Sequence, residues 1–141
     1  MSKVKVKWVE GRQFVGVDST KHAIVMSTAD DGTGAKPSDL LLLALGGCTG
    51  VDVIGILEKQ RQPVSGLEIH VEGHQDGDPP WTFREIHIEY VVHGRGLSEK
   101  AVARAIELSE QKYCSVGATL RGTVQITHHY RIVEDLPEAA A

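Results

Sequence analysis

Residues 37–59, PSDLLLLALGGCTGVDVIGILEK, are the most apolar stretch of the chain, and their reading decides the fold. Pro37 suits the first turn of a helix, where its missing N–H is not needed. The apolar run Leu40–Leu57 only just reaches the length of a membrane span. Gly46, Gly47, Gly50 and Gly55 weaken that reading, and Asp52 sits inside the run. We read it as a core helix, apolar on nearly all sides and wrapped by sheet or by a partner chain. A glycine inside a helix costs about 1 kcal/mol relative to alanine. Gly46, Gly47 and Gly50, which surround Cys48, therefore need a use: close approach of a second helix, or a narrow pocket that reaches the helix.

A cysteine in such a place is a small hydrophobe, half of a disulfide, or a nucleophile. The rest of the chain narrows the choice. Its 141 residues are about one domain's worth, so a single domain over 1–141 is expected. With 41% apolar and 24% charged residues the composition is that of a soluble globular protein, and a net charge of −4 leaves no basic footprint for nucleic acid. The amino end, MSKVKVKWVEG, alternates lysine with apolar residues and lacks the continuous apolar core of a secretory signal, so a cytoplasmic location is expected. The only cysteines are Cys48 and Cys114. A reducing compartment disfavours a permanent disulfide, and their separation excludes a CxxC motif or a zinc knuckle. Two free thiols or a redox-active pair remain.

Working outward, Val4, Val6 and Trp8 alternate with Lys3, Lys5 and Lys7 at the period of a strand. RQFVGVD and HAIVMST follow, which predicts a meander of three antiparallel strands. The loop ADDGTGAKP is expected to be the most mobile segment. Beyond the long helix, Leu67, Ile69 and Val71 and then Ile86, Ile88 and Tyr90 alternate with charged residues, predicting a long hairpin across DGDPPW. Ser98 is a candidate N-cap for an amphipathic helix carrying Ala101, Val102, Ala105, Ile106 and Leu108 or Ser109. Cys114 falls before SVGATLRG, a further short helix. A last strand places Val124, Ile126, His128, Tyr130 and Ile132 on one face, and the LPEAAA tail is expected to fray.

Two thiols are the minimum set for a peroxide-reducing cycle, in which one thiolate becomes a sulfenic acid and the other condenses with it. A helix start would lower the Cys114 pKa. Apolar walls, and Asp52 one turn along the same face, would raise that of Cys48. A reactive Cys48 then needs a cation, for which Arg12, Arg61, Arg95 and Arg121 are candidates; the plain alternative for each is a solvated surface charge. The histidines offer a rival, metal binding, because His70 and His74 share a strand face with Glu68 and Glu72, and His87 lies between Glu85 and Glu89. A wet sheet face with compensating charges explains the same pattern, and no strong motif such as HExxH is present. His128 and His129 are adjacent on a strand, so they point to opposite faces.

KPSDLLLLALGGCTGVDVIGIL, ARAIELSEQKYCSVGATL and VQITHHYRI together resemble the OsmC/Ohr family, the osmotically inducible and organic hydroperoxide resistance proteins, over essentially the whole chain. GGC and KYCSV are most similar to a less-characterised branch. The resemblance implies an α+β fold whose antiparallel sheets wrap two central cysteine-bearing helices in an interlocked homodimer. It implies a thiol peroxidase with Cys48 as peroxidatic nucleophile and Cys114 as resolving thiol. Organic hydroperoxides are then the substrates, and an external dithiol such as a lipoyl group the reductant, with no cofactor, metal, nucleic acid or membrane partner. Arg12 takes the place of the family's thiolate-stabilising arginine, from its own or the partner subunit. The family's peroxidases carry Glu after the helix-opening proline, where this chain has Ser38. Asp39, about 100° further round the helix, is the candidate partial substitute. Leu42, Leu45 and the LGG segment are the expected lining for an organic chain. The alternative is a non-catalytic protein of the same fold that binds a small apolar ligand at the dimer-interface pocket.

Overall fold

The computed structural model describes residues 1–137 and divides into two compact units, Met1–Leu41 and Leu42–Ala141. Residues 138–141, most of the tail expected to fray, lie outside the described residues.

The first unit is the expected meander. Strands β1 (Lys5–Glu10), β2 (Gln13–Val17) and β3 (Ala23–Ser27) pair antiparallel in that order. Gly11, at φ +52°, makes the tight first turn that a residue with a Cβ resists. The second turn closes on the Asp18 carboxylate, which accepts from the backbone N–H of Thr20 at 2.9 Å and of His22 at 2.8 Å. Every residue of β1 is exposed, Val6 and Trp8 included. The loop expected to be mobile is tied down in its second half: the Ala35 N–H donates to the Val25 carbonyl at 2.9 Å, and the Ser27 N–H to the Ala35 carbonyl at 3.1 Å. Gly34 permits this approach, since a Cβ there would stand 2.5 Å from the Val25 carbonyl oxygen.

Helix α1 spans Pro37–Lys59, with Pro37 at its first position as expected. In the second unit, β4 (Val64–Gln75) and β5 (Phe83–Gly94) form the long hairpin, whose register sets Ile69 opposite Tyr90 and Val71 opposite Ile88. Ser98 caps α2 (Glu99–Leu108), its side chain accepting from the Ala101 N–H at 3.2 Å. A π-helical turn, Ser109–Tyr113, leads to α3 (Ser115–Leu120) and β6 (Gln125–Glu134). The sheet order is β4-β5-β6, and β6 runs parallel to β5, so this sheet is mixed where purely antiparallel sheets were expected. The reason is the crossover: a chain that leaves the sheet through two helices can return in the same direction, whereas a tight turn cannot.

The core sits on one face of this sheet. Ile86, Ile88, Tyr90 and Val92 of β5 pack with Val102, Ala105 and Ile106 of α2 and with a single stripe of α1, namely Leu45, Val53 and Leu57. Thr49 completes that stripe, whose four residues recur every fourth position. Within one chain the sheet and α2 cover only this stripe of the expected all-round core helix: Leu43 is 62% and Val51 75% exposed, on the side away from it. Of the two uses expected for the glycines, a pocket reaching the helix is present, lined by Gly46, Gly47 and Gly50, and a second helix is not, among the described residues. Their close neighbour is strand β4 instead of a second helix, since a Cβ on Gly46 would meet Val71 at 3.1 Å and one on Gly50 would meet Ile69 at 3.0 Å. Gly47 and Gly55 face open space.

Candidate active site

The fold brings the two cysteines together. Cys48 lies half-buried in the middle of α1, and Cys114 is buried at the N-cap of α3. The π-helical turn is what aims Cys114. It closes with the Cys114 N–H on the Ser109 carbonyl at 2.8 Å, and its extra residue per turn ends the helix so that Cys114 becomes extended. Its sulfur then accepts from the Gly117 N–H at 3.3 Å, as a capping side chain does. The Ser115 hydroxyl lies 3.8 Å from the Cys48 sulfur.

The electrostatics reverse the expectation for both thiols. Burial raises the pKa of Cys48, but hydrogen bonds from the Val116 amide, the Cys114 thiol and Ser115 outweigh it, and the pKa is lowered overall. The help therefore comes from the start of α3, which points at Cys48 and stabilises a thiolate there. Burial pushes the Cys114 thiol up to about 11; the Gly117 amide opposes this, while neighbouring Cys48 and Asp52 add to it. A helix start near Cys114 is insufficient because the residue is only 3% exposed. One thiol favours the thiolate and its neighbour keeps its proton.

A buried polar chain runs behind the thiols. The Thr49 hydroxyl lies 2.8 Å from both the Tyr90 hydroxyl and the Ser109 hydroxyl. Ser109 in turn donates to Asp52 at 2.9 Å. Tyr90 donates to Glu110 at 3.4 Å, and Glu110 pairs with His128 at 2.7 Å. Burial raises the Glu110 pKa, and His128, Tyr90 and Arg121 pull it back only in part. Burial likewise raises the Tyr90 pKa, so its phenol stays neutral. Sequence reading missed Ser115, Val116, Glu110 and this chain. The available signal was Tyr90 itself, whose hydroxyl on an otherwise apolar strand face required a partner.

The other expected site residues are placed as follows. Arg12 is exposed in the β1–β2 turn of the first unit, and its backbone N–H donates to Asp31 at 3.4 Å. Asp39, in the first turn of α1, pairs with Lys36 at 3.9 Å. Of the other arginines considered, Arg61 and Arg95 are exposed, whereas Arg121 donates to the Glu110 carbonyl and lines the small cavity beside Cys114. Of the expected lining for an organic chain, Leu45 is 2% exposed and belongs to the core, whereas Gly46 and Gly47 of the LGG segment do line an open groove. That groove, about 690 Å³, runs along Gly46, Gly47, Gly50, Val51 and Ile54 of α1, with Leu67 and Ile69 of β4 on its other side.

The histidine-rich face is a compensated outer sheet face. His70 pairs with Glu68 at 3.2 Å and His74 with Glu72 at 3.2 Å. His129 pairs with Glu89 at 2.8 Å and lies 2.6 Å from His87. His128 and His129 do point to opposite faces. No group of three or more metal-ligating side chains is gathered among the described residues.

Comparison with known proteins places this geometry in context. The sequence profile described as OsmC-like protein matches residues 29–129. Protein YhfA of Escherichia coli K12 is 40% identical over 129 residues, covering 92% of this chain and 96% of YhfA. The crystal structure of a hypothetical protein from Aquifex aeolicus superposes with a TM-score of 0.87 at 30% identity, over 96% of this chain and 98% of that one. The organic hydroperoxide resistance protein OhrB of Bacillus subtilis shares the fold, with a TM-score of 0.62 at 18% identity over 93% of this chain and 98% of OhrB.

Proposed function

The chain belongs to the OsmC-like protein family, and from that premise we propose that it is a thiol-dependent peroxidase that reduces organic hydroperoxides in defence against oxidative stress. The observation that carries the reading is the unlike pair of adjacent thiols: Cys48 with its pKa lowered, Cys114 with its own held near 11. A thiolate is the nucleophile that attacks an O–O bond, and a protonated neighbour is preserved from that oxidant until it is needed. In this reading the Cys48 thiolate displaces the alcohol, which leaves with a proton from solvent, and becomes a sulfenic acid. Cys114 condenses with it, releasing water. An external dithiol such as a lipoyl group then reduces the disulfide.

The remaining parts of the reading are as follows. Arg12 supplies a cation to the thiolate, from its own or the partner subunit, and Asp39 serves as the acid that orients it in place of the family Glu. The protein is a cytoplasmic homodimer without a bound cofactor, and neither nucleic acid nor membrane is a partner. The dimer is supported by the apolar face of α1 left open at Leu43 and Val51, and by the exposed Val6 and Trp8 of β1. A second reading, a non-catalytic protein that binds an apolar ligand, is supported by the groove along Gly47 and Val51, which no sulfur lines.

The test is consumption of tert-butyl hydroperoxide with dihydrolipoamide, comparing wild type with Cys48→Ser and Arg12→Ala. Turnover that vanishes in Cys48→Ser and falls in Arg12→Ala is expected. A wild-type rate no higher than that of Cys48→Ser overturns the enzyme in favour of the binding protein.

A further inference from the structure

The peroxidase reading leaves one proton without a carrier. Cys114 must attack as a thiolate, yet it is buried, and the Gly117 N–H from which its sulfur accepts cannot take a proton. Cys114 and Glu110 line one small cavity of about 10 Å³, together with Thr49, Tyr90 and Arg121. A space of that size has room for about one water, the bridge by which a proton can pass between groups that line it. Glu110 is itself fixed from every side that packs on it. Tyr90 of β5 donates to one carboxylate oxygen, His128 of β6 pairs with the other, and Arg121 at the end of α3 binds its backbone carbonyl. From α1, Thr49 bridges Tyr90 to Ser109, which donates to Asp52. The His128 side chain is 38% exposed and that of Glu110 20%, so the pair leads from the cavity to solvent.

We propose that Glu110 takes the proton of Cys114 when that sulfur closes onto oxidised Cys48, and that His128 passes it to solvent. The proposal rests on the cysteine chemistry above and names the relay that chemistry requires. In the forward step the Cys114 S–H proton moves to the Glu110 carboxylate and the sulfur–sulfur bond forms. The Cys48 S–O bond breaks, and the departing hydroxide takes a proton from solvent to leave as water. Cys48 is reduced from sulfenic acid to disulfide while Cys114 is oxidised to it, so no further oxidant is needed. In the reverse sense, when a dithiol attacks the Cys48 sulfur of the disulfide, Glu110 returns a proton to the departing Cys114 thiolate. Burial, by holding the Glu110 pKa above the ordinary carboxylate value, brings it nearer the working pH of a general base.

The experiment follows both directions separately. In the first arm, one equivalent of tert-butyl hydroperoxide is mixed without reductant, and sulfenic acid (by dimedone trapping) and disulfide are timed by mass spectrometry. In the second, the disulfide is preformed with diamide and its reduction by dithiothreitol is followed. Glu110→Gln is expected to leave sulfenic acid formation at the wild-type rate and to slow disulfide closure and reduction by about a hundred-fold. Its closure rate is also expected to lose the fall at low pH expected of the wild type. Glu110→Asp recovers most of the rate, and His128→Gln, on the solvent side, slows the same steps without disturbing the cavity. Wild-type closure and reduction rates in Glu110→Gln and His128→Gln, with the acid fall retained, overturn the relay. If the wild type consumes no peroxide, the peroxidase reading falls while the diamide arm still decides the relay.

Discussion

The Cys48 sulfur lies 3.8 Å from the Ser115 hydroxyl, across 67 residues of sequence. That contact joins α1 to the start of α3 and, with the Val116 amide and the Cys114 thiol, helps to lower the Cys48 pKa.

The first prediction follows from that lowered pKa. Iodoacetamide labelling read by mass spectrometry should modify Cys48 at pH values where Cys114 stays untouched, with the Cys48 midpoint below that of an ordinary thiol and the Cys114 midpoint near 11. Ser115→Ala should move the Cys48 midpoint upward. The sign for stability is set by the same shift: a thiol whose pKa is lowered by folding contributes above its unfolded pKa, and that contribution disappears as pH falls through the folded value. Equal midpoints for the two cysteines would refute the assignment.

Tyr90 is fully buried, and its hydroxyl joins Thr49 to Glu110. Tyr90→Phe keeps the ring and removes the hydroxyl, leaving Thr49 with Ser109 alone and Glu110 without one donor. Loss of one such bond in a buried chain costs about 1–3 kcal/mol. Urea denaturation should show that loss with an unchanged m-value.

An apolar face that stays open in one chain is a natural seat for a second copy. Leu43→Lys and Val51→Lys should convert a dimer in sedimentation velocity to a monomer, with secondary structure retained by circular dichroism. A wild type that sediments as a monomer would contradict the proposed assembly.

Ser98 accepts from the Ala101 N–H at 3.2 Å and so satisfies one of the free amides at the start of α2. Ser98→Ala should cost about 1 kcal/mol in thermal or denaturant unfolding. Ser98→Asp should restore most of it.

Much of the architecture was legible because it is periodic. Alternation at Val4, Val6 and Trp8 announced β1, and the alternation of Ile86, Ile88 and Tyr90 announced the buried face of β5. Pro37 and Ser98 marked two helix starts through chemistry confined to a few residues. The direction of β6 was not legible, because pairing depends on how the crossover returns and not on any residue in the strand. The glycines of α1 signalled close approach correctly, but nothing local distinguished a strand from a helix as the neighbour of Gly46 and Gly50.

The site divided in the same way. The amino-acid sequence by itself determined which groups were present: two cysteines far apart, a long apolar helix interrupted by glycine around one of them, and a short helix opening at the other. Periodicity and capping are local, so they survive without knowledge of the fold. Only the tertiary structure decided which sulfur ionises, because a pKa answers to burial and to donors brought from elsewhere in the chain. Cys114 begins a helix yet is buried and keeps its proton, while Cys48, in mid-helix, receives the hydrogen bonds of Ser115 and Val116.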